Sequence, residues 1–135
     1  MKEKNLLRKV VLIMKKLLFT LMFLINILGF SALQNGIYSV EKRHDGNWTS
    51  FVKLTVKDGR IIGAQYDRKN QKGELFSMIQ NSFRDIALEI SRNLISSQNV
   101  SSVTGKDAAA VSEFKEMSNF LINKANNGET GDFKM

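Results

Sequence analysis

The chain has 135 residues, room for one modest domain, and contains no cysteine, no proline and a single histidine. The missing cysteines exclude disulfides, thiolate metal sites and cysteine nucleophiles, and a lone His44 argues against an imidazole metal site or a catalytic triad. The formal charge of +7 sits mostly at the front: residues 1–32 hold six Lys/Arg and one acid, against 14 and 12 in the remainder, so the basic balance is poor evidence for nucleic-acid binding.

Lys2, Lys4, Arg8, Lys9, Lys15 and Lys16 precede an apolar run from Leu17 to Phe30, broken by Thr20, Asn26 and Gly29. Small residues Gly29, Ser31 and Ala32 follow. A basic head, an apolar middle of roughly 7–15 residues and a small-residue exit are the parts of a secretory signal. The run is shorter than the roughly 20 residues of a spanning helix. Residues 1–32 are therefore expected to be a signal cleaved after Ser31 or Ala32, with a retained membrane anchor as the alternative. Met14-Lys15-Lys16-Leu17 has the form of a signal's beginning, which puts the expected start of the protein at Met14. The protein is expected to be exported, to the periplasm or cell surface, and to touch the membrane only through this segment.

From Gly36 to Tyr66 the chain reads as three strands. Ile37 to Val40 form the first, ending in a polar Glu41–His44 stretch. In the second, Val52, Leu54 and Val56 face one way while Phe51, Lys53 and Thr55 face the other, the period of a half-buried strand. Asp58-Gly59 supplies the positive-φ pair of a tight hairpin, and Arg60 to Tyr66 returns as the third strand. His44, next to an Asp45-Gly46 turn, reads as a loop histidine.

Asp67 to Phe76 is a polar connection. Ser77 with Gln80 has the form of a capping box, and Ile79, Phe83, Ile86, Ala87, Ile90 and Leu94 make the apolar stripe of a first helix. A second helix is expected from about Lys106 to Ala125, with Ala110, Val111, Phe114, Met117, Leu121 and Ile122 inward and a stop at Asn126-Asn127-Gly128. Residues 129–135 form a tail with little structural signal. The expected fold is α+β: a small antiparallel sheet, a three-stranded meander or more, packed against two amphipathic helices over residues 33–128.

Thr104-Gly105-Lys106-Asp107 opens the second helix. Thr104 as cap with Asp107 three positions on is a capping-box pattern, and an acid in a first turn is favoured by the helix dipole. A helix start is also where backbone N–H groups meet anions.

Asn35-Gly36-Ile37-Tyr38, then Val52 to Ile61, then Tyr66-Asp67-Arg68-Lys69-Asn70, and finally Val103-Thr104-Gly105 before a helix, occur in an order that resembles the FMN-binding domain of exported and membrane-anchored bacterial flavoproteins, including the membrane immunogen lipoprotein group. The resemblance spans about Asn35 to Ala125. It implies a flavin phosphate at Thr104, Gly105, Lys106 and Asp107. It further implies aromatic walls from Trp48 and Tyr66, and a polar side at Asp67 and Asn70. Family members carry Ser/Thr-Gly-Ala-Thr, whose last threonine can be esterified to FMN. Here Lys106 and Asp107 replace the final two residues, and Asp107 has no hydroxyl to esterify. The resemblance thus implies FMN held non-covalently by an electron carrier whose partner is a membrane or exported oxidoreductase, and which is not an enzyme by itself. The alternative is a cofactor-free surface antigen or interaction module on the same fold.

Overall fold

The computed structural model describes residues 2–27 and 33–135. Helix α1 (Lys2–Ile27) lies in one compact unit, and the chain from Leu33 onward forms a second. No helix among the described residues is long and apolar enough to cross a membrane. The expected exit residues Gly29, Ser31 and Ala32 fall outside the described residues.

The second unit is α+β, as its patterning foretells. Strands β1 (Gly36–Arg43), β2 (Thr49–Lys57) and β3 (Arg60–Lys69) form the antiparallel meander. Asp58 and Gly59 turn the β2–β3 hairpin with φ of 53° and 74°, the left-handed pair such a turn requires. Val52, Leu54 and Val56 are buried and Lys53 is exposed, so the alternation of β2 sets which face packs. Each strand runs further than its apolar residues, because ladder bonds continue through the polar ends.

A fourth strand, β4 (Gly131–Lys134), pairs in parallel with β1 and gives the order β3-β2-β1-β4. The C-terminal residues are therefore not a featureless tail. Phe133 lies beside Val40 in register and meets Phe120 edge-on at 5.8 Å between ring centres.

Helices α3 (Asn81–Ser97) and α4 (Ala108–Asn126) cover one face of the sheet. Phe83, Ala87, Ile90 and Leu94 from α3 join Ala110, Phe114, Met117 and Leu121 from α4 against Tyr38, Val40, Val52, Leu54 and Tyr66. Burying each large side chain contributes about 1.5–3 kcal/mol, so this layer carries most of the stability. Gln98, in the left-handed region at φ 56°, ends α3 and uses its amide to bond both N–H and C=O of Ile61, tying the helix end to β3.

The Ser77/Gln80 capping box does not form. Phe76–Ile79 is a separate single turn, α2, and the chain breaks at Gln80 in extended backbone before α3 begins. Ser77 turns instead to the Asp67 carboxylate, to which it donates its N–H at 3.1 Å and its hydroxyl.

Candidate functional site

The start of α4 differs from the expected geometry. The cap is Asp107, not Thr104: its carboxylate accepts the Ala110 N–H at 3.1 Å. The chain stays non-helical through Thr104–Lys106 because Gly105 lies close to the helical layer. A Cβ at Gly105 would stand 3.0 Å from both Ile90 and Val111. That glycine serves packing, and no left-handed φ is needed there. Thr104 and Lys106 are exposed beside the capped end.

The other residues expected around a flavin lie apart from this end. Tyr66 is buried in the core between Phe83 and Phe114, at 5.8 Å and 5.6 Å, and its hydroxyl donates to Glu113. Asp67 is buried, its carboxylate occupied by Ser77 and the Arg68 N–H. Asn70 accepts the N–H groups of Lys72 and Glu74, ordering its own loop, and lines a concavity on the uncovered side of the sheet. Trp48 is half-buried, edge-on to Phe76 at 4.9 Å. The Asp107 carboxylate holds one first-turn amide and puts a negative charge beside the place where a flavin phosphate at α4 would sit, which disfavours that group there.

A denser constellation centres on Glu113 of α4, on the helix face that meets the sheet. Sheet register puts Lys42, Ser50 and Arg68 in one cross-strand row, next to the apolar row Val40, Val52 and Tyr66. Helix α4 matches both rows. Phe114 and Met117 cover the apolar one, while Glu113 and Glu116 meet the polar one. Glu113, its side chain 10% exposed, accepts Ser50 Oγ at 2.7 Å and Tyr66 OH at 2.6 Å on one oxygen. Arg68 Nη2 is 3.6 Å from that same oxygen, and the other oxygen lies 2.7 Å from His44 Nε2. Lys42 pairs with Glu116 at 2.8 Å nearby.

Burial alone would raise the Glu113 pKa. The hydrogen bonds from Ser50 and Tyr66, with the charges of His44 and Arg68, outweigh it and hold the carboxyl below its ordinary value. Burial is the main cause that pushes the Tyr66 phenol well up, and its bond to Glu113 adds to this. Arg68 lies over the Phe83 ring at 5.1 Å, and its buried Nε finds no hydrogen-bond partner among the described residues.

Ser50, His44 and Glu113 are the residue types of a hydrolytic triad, yet their arrangement does not permit one. A relay places the imidazole between nucleophile and acid, using opposite ring nitrogens. Here the same Nε2 touches Glu113 and Ser50 Oγ, each at 2.7 Å. The serine hydroxyl donates to the acid and is fully buried, out of reach of a substrate. The cluster is a structural hub joining β1, β2, β3 and α4. Sequence offered two signals for it. Ser50 continues the buried phase of Val52, Leu54 and Val56, and Glu113 lies on the stripe three residues after Ala110 and four before Met117. A polar residue on each of two facing apolar stripes marks a buried pair.

Comparison with family models and with curated proteins returned no match. Two solved structures are similar. The crystal structure of CPE2226 protein from Clostridium perfringens shares 18% identity at a TM-score of 0.67, over 76% of this chain and 97% of that one. A solution NMR structure of a Clostridium thermocellum protein shares 16% at 0.50, over 69% and 92%. At such identities the likeness establishes a shared fold alone.

Proposed function

We propose that the domain is an exported interaction module that works without a cofactor. One observation carries the reading: the Asp107 carboxylate occupies the start of α4, accepting the Ala110 N–H at 3.1 Å where a nucleotide phosphate would bind. Two anions at one helix end repel, and one of the first-turn amides, that of Ala110, is already satisfied. The buried, hydrogen-bonded Tyr66 and Asp67 support the same view, since neither offers a surface to a flavin. The basic head and apolar middle of the leader support export.

Titration of the full chain with FMN, followed by emission of its single tryptophan, Trp48, tests this. The expected result is no saturable change, in the native chain and in Asp107→Thr alike. A second reading, a non-covalent FMN carrier serving a membrane or exported oxidoreductase, is favoured by the exposure of Thr104 and Lys106 beside the same helix end. A phosphate that displaced the Asp107 cap would meet a hydroxyl and an ammonium there. Saturable quenching in the native chain, strengthened by Asp107→Thr, would establish that reading and remove the first.

A further inference from the structure

We propose that the uncovered face of the sheet is a docking groove for an acidic peptide segment of a partner protein, held extended across the strands by Arg43, Lys53 and Lys134. This rests on the reading of the domain as an interaction module, and it names the chemistry of the partner.

Helices α3 and α4 cover one face of the sheet, and alternation sends Glu41, Arg43, Phe51 and Lys53 to the other. Strand β4 extends that face: Lys134 lies beside Glu41 and Asp132 beside Ser39. Two concavities open there, of about 340 and 440 Å³, and they share Glu41 and Lys134, so they adjoin along one groove-like stretch of the face. Phe51 lines it with an aromatic ring, and the Lys69 ammonium, paired to Glu41, lies 5.8 Å from the ring centre.

Charge decides the occupant. Arg43, Lys53 and Lys134 make no ion pair among the described residues, and among the acidic side chains lining the groove Asp132 alone stands unpaired against them. With strands about 4.8 Å apart and about 3.3 Å per residue, the Cα atoms of the three cations are roughly 8–14 Å from one another. Carboxylates two to four residues apart on an extended peptide have that spacing. A dense polyanion fits less well, because Glu41 and Asp132 sit among the cations and repel a continuous run of phosphate or sulfate. The chain's own leader is basic, so the complementary charge comes from another molecule.

The full chain, in a non-ionic detergent, is titrated against a fluorescein-labelled eight-residue peptide of alternating glutamate and serine, read by anisotropy. Saturable binding that weakens with added salt is expected. The pair Lys53→Glu with Lys134→Glu should weaken it about tenfold or more. Arg84→Glu with Arg92→Glu, on the exposed face of α3, should leave it unchanged. Both pairs alter exposed side chains, and circular dichroism checks that each variant is folded. Absent binding, or equal loss in the two variants, overturns the proposal. So does tighter binding of heparin than of the peptide, which would make the face a polyanion surface. Self-association weakened by the sheet-face pair would assign the groove to a second copy and overturn it too. Peptide binding is read at the sheet and flavin binding at the start of α4. Failure of this proposal therefore leaves the cofactor-free reading standing, and failure of that reading appears only in the flavin titration.

Discussion

Asp107 and Glu113 are carboxylates on the same helix, less than two turns apart, and they do opposite work. Asp107 is exposed and satisfies one backbone amide at the helix end. Glu113 faces the sheet and gathers a serine from β2, a phenol and a guanidinium from β3, and an imidazole from the loop after β1. The first tidies an end, while the second holds α4 to the sheet. Placement relative to the sheet, not residue type, separates a cap from a hub, and the contrast predicts how differently the two positions respond to change.

The largest effect is expected at the hub. Glu113→Ala strands Ser50 and Tyr66 without an acceptor and leaves Arg68 without its counter-charge. The loss should be about 3 kcal/mol, since breaking a buried pair leaves its partners desolvated and unpaired. For a domain of this size that lowers the melting temperature by roughly 10–20 °C in calorimetry. A shift of only a few degrees would mean that water replaces the carboxylate and that Glu113 is no hub. Tyr66→Phe removes a single hydrogen bond and should cost about 1 kcal/mol.

Acid tests the same group by titration. The Glu113 carboxyl has a lower pKa folded than unfolded. Its stabilisation is therefore complete above the ordinary carboxylate range, and it fades as pH falls through that range toward the depressed folded value. Unfolding free energies measured across that interval should decline in the native chain and decline less steeply in Glu113→Gln. Parallel slopes would assign the acid sensitivity to other carboxylates.

How much of this was legible in the sequence varied with the range of the interaction responsible. The β2–β3 hairpin follows from Asp58-Gly59 and the alternation of Val52, Leu54 and Val56, all local signals. Strand β4 was not legible: Gly131–Lys134 has one apolar residue, Phe133, and its strand character comes from a parallel partner about 90 residues away in sequence. Ser77 fits a capping box, but the buried Asp67 carboxylate competes for both its N–H and its hydroxyl and wins. At α4 the pattern Thr104-x-x-Asp107 pointed to Thr104 as the cap, three residues before the observed cap at Asp107. The close approach of Gly105 to Ile90 and Val111 keeps that segment out of the helix, a tertiary constraint invisible to spacing. Val103, fully buried just before it, anchors the same segment. The Glu113 hub, by contrast, was half-visible in Ser50 and Glu113, each a polar residue in an apolar phase.

The smallest effect belongs to the cap, and it separates two contributions that the geometry superimposes. Asp107 offers the Ala110 N–H an acceptor and offers the helix dipole a negative charge. Asp107→Ala removes both and should cost about 1 kcal/mol, roughly 5 °C in melting temperature. Asp107→Asn keeps the acceptor and drops the charge, so it should lose only the dipole share, about 0.3–1 kcal/mol, which salt screens. If the asparagine variant falls as far as the alanine one at low salt and recovers at high salt, charge rather than the hydrogen bond holds this end. The alanine variant then has a further use, because it leaves the first-turn amides open without adding a hydroxyl. If inorganic phosphate raises its melting temperature but not that of the native chain, the Asp107 carboxylate alone is what keeps anions from the start of α4.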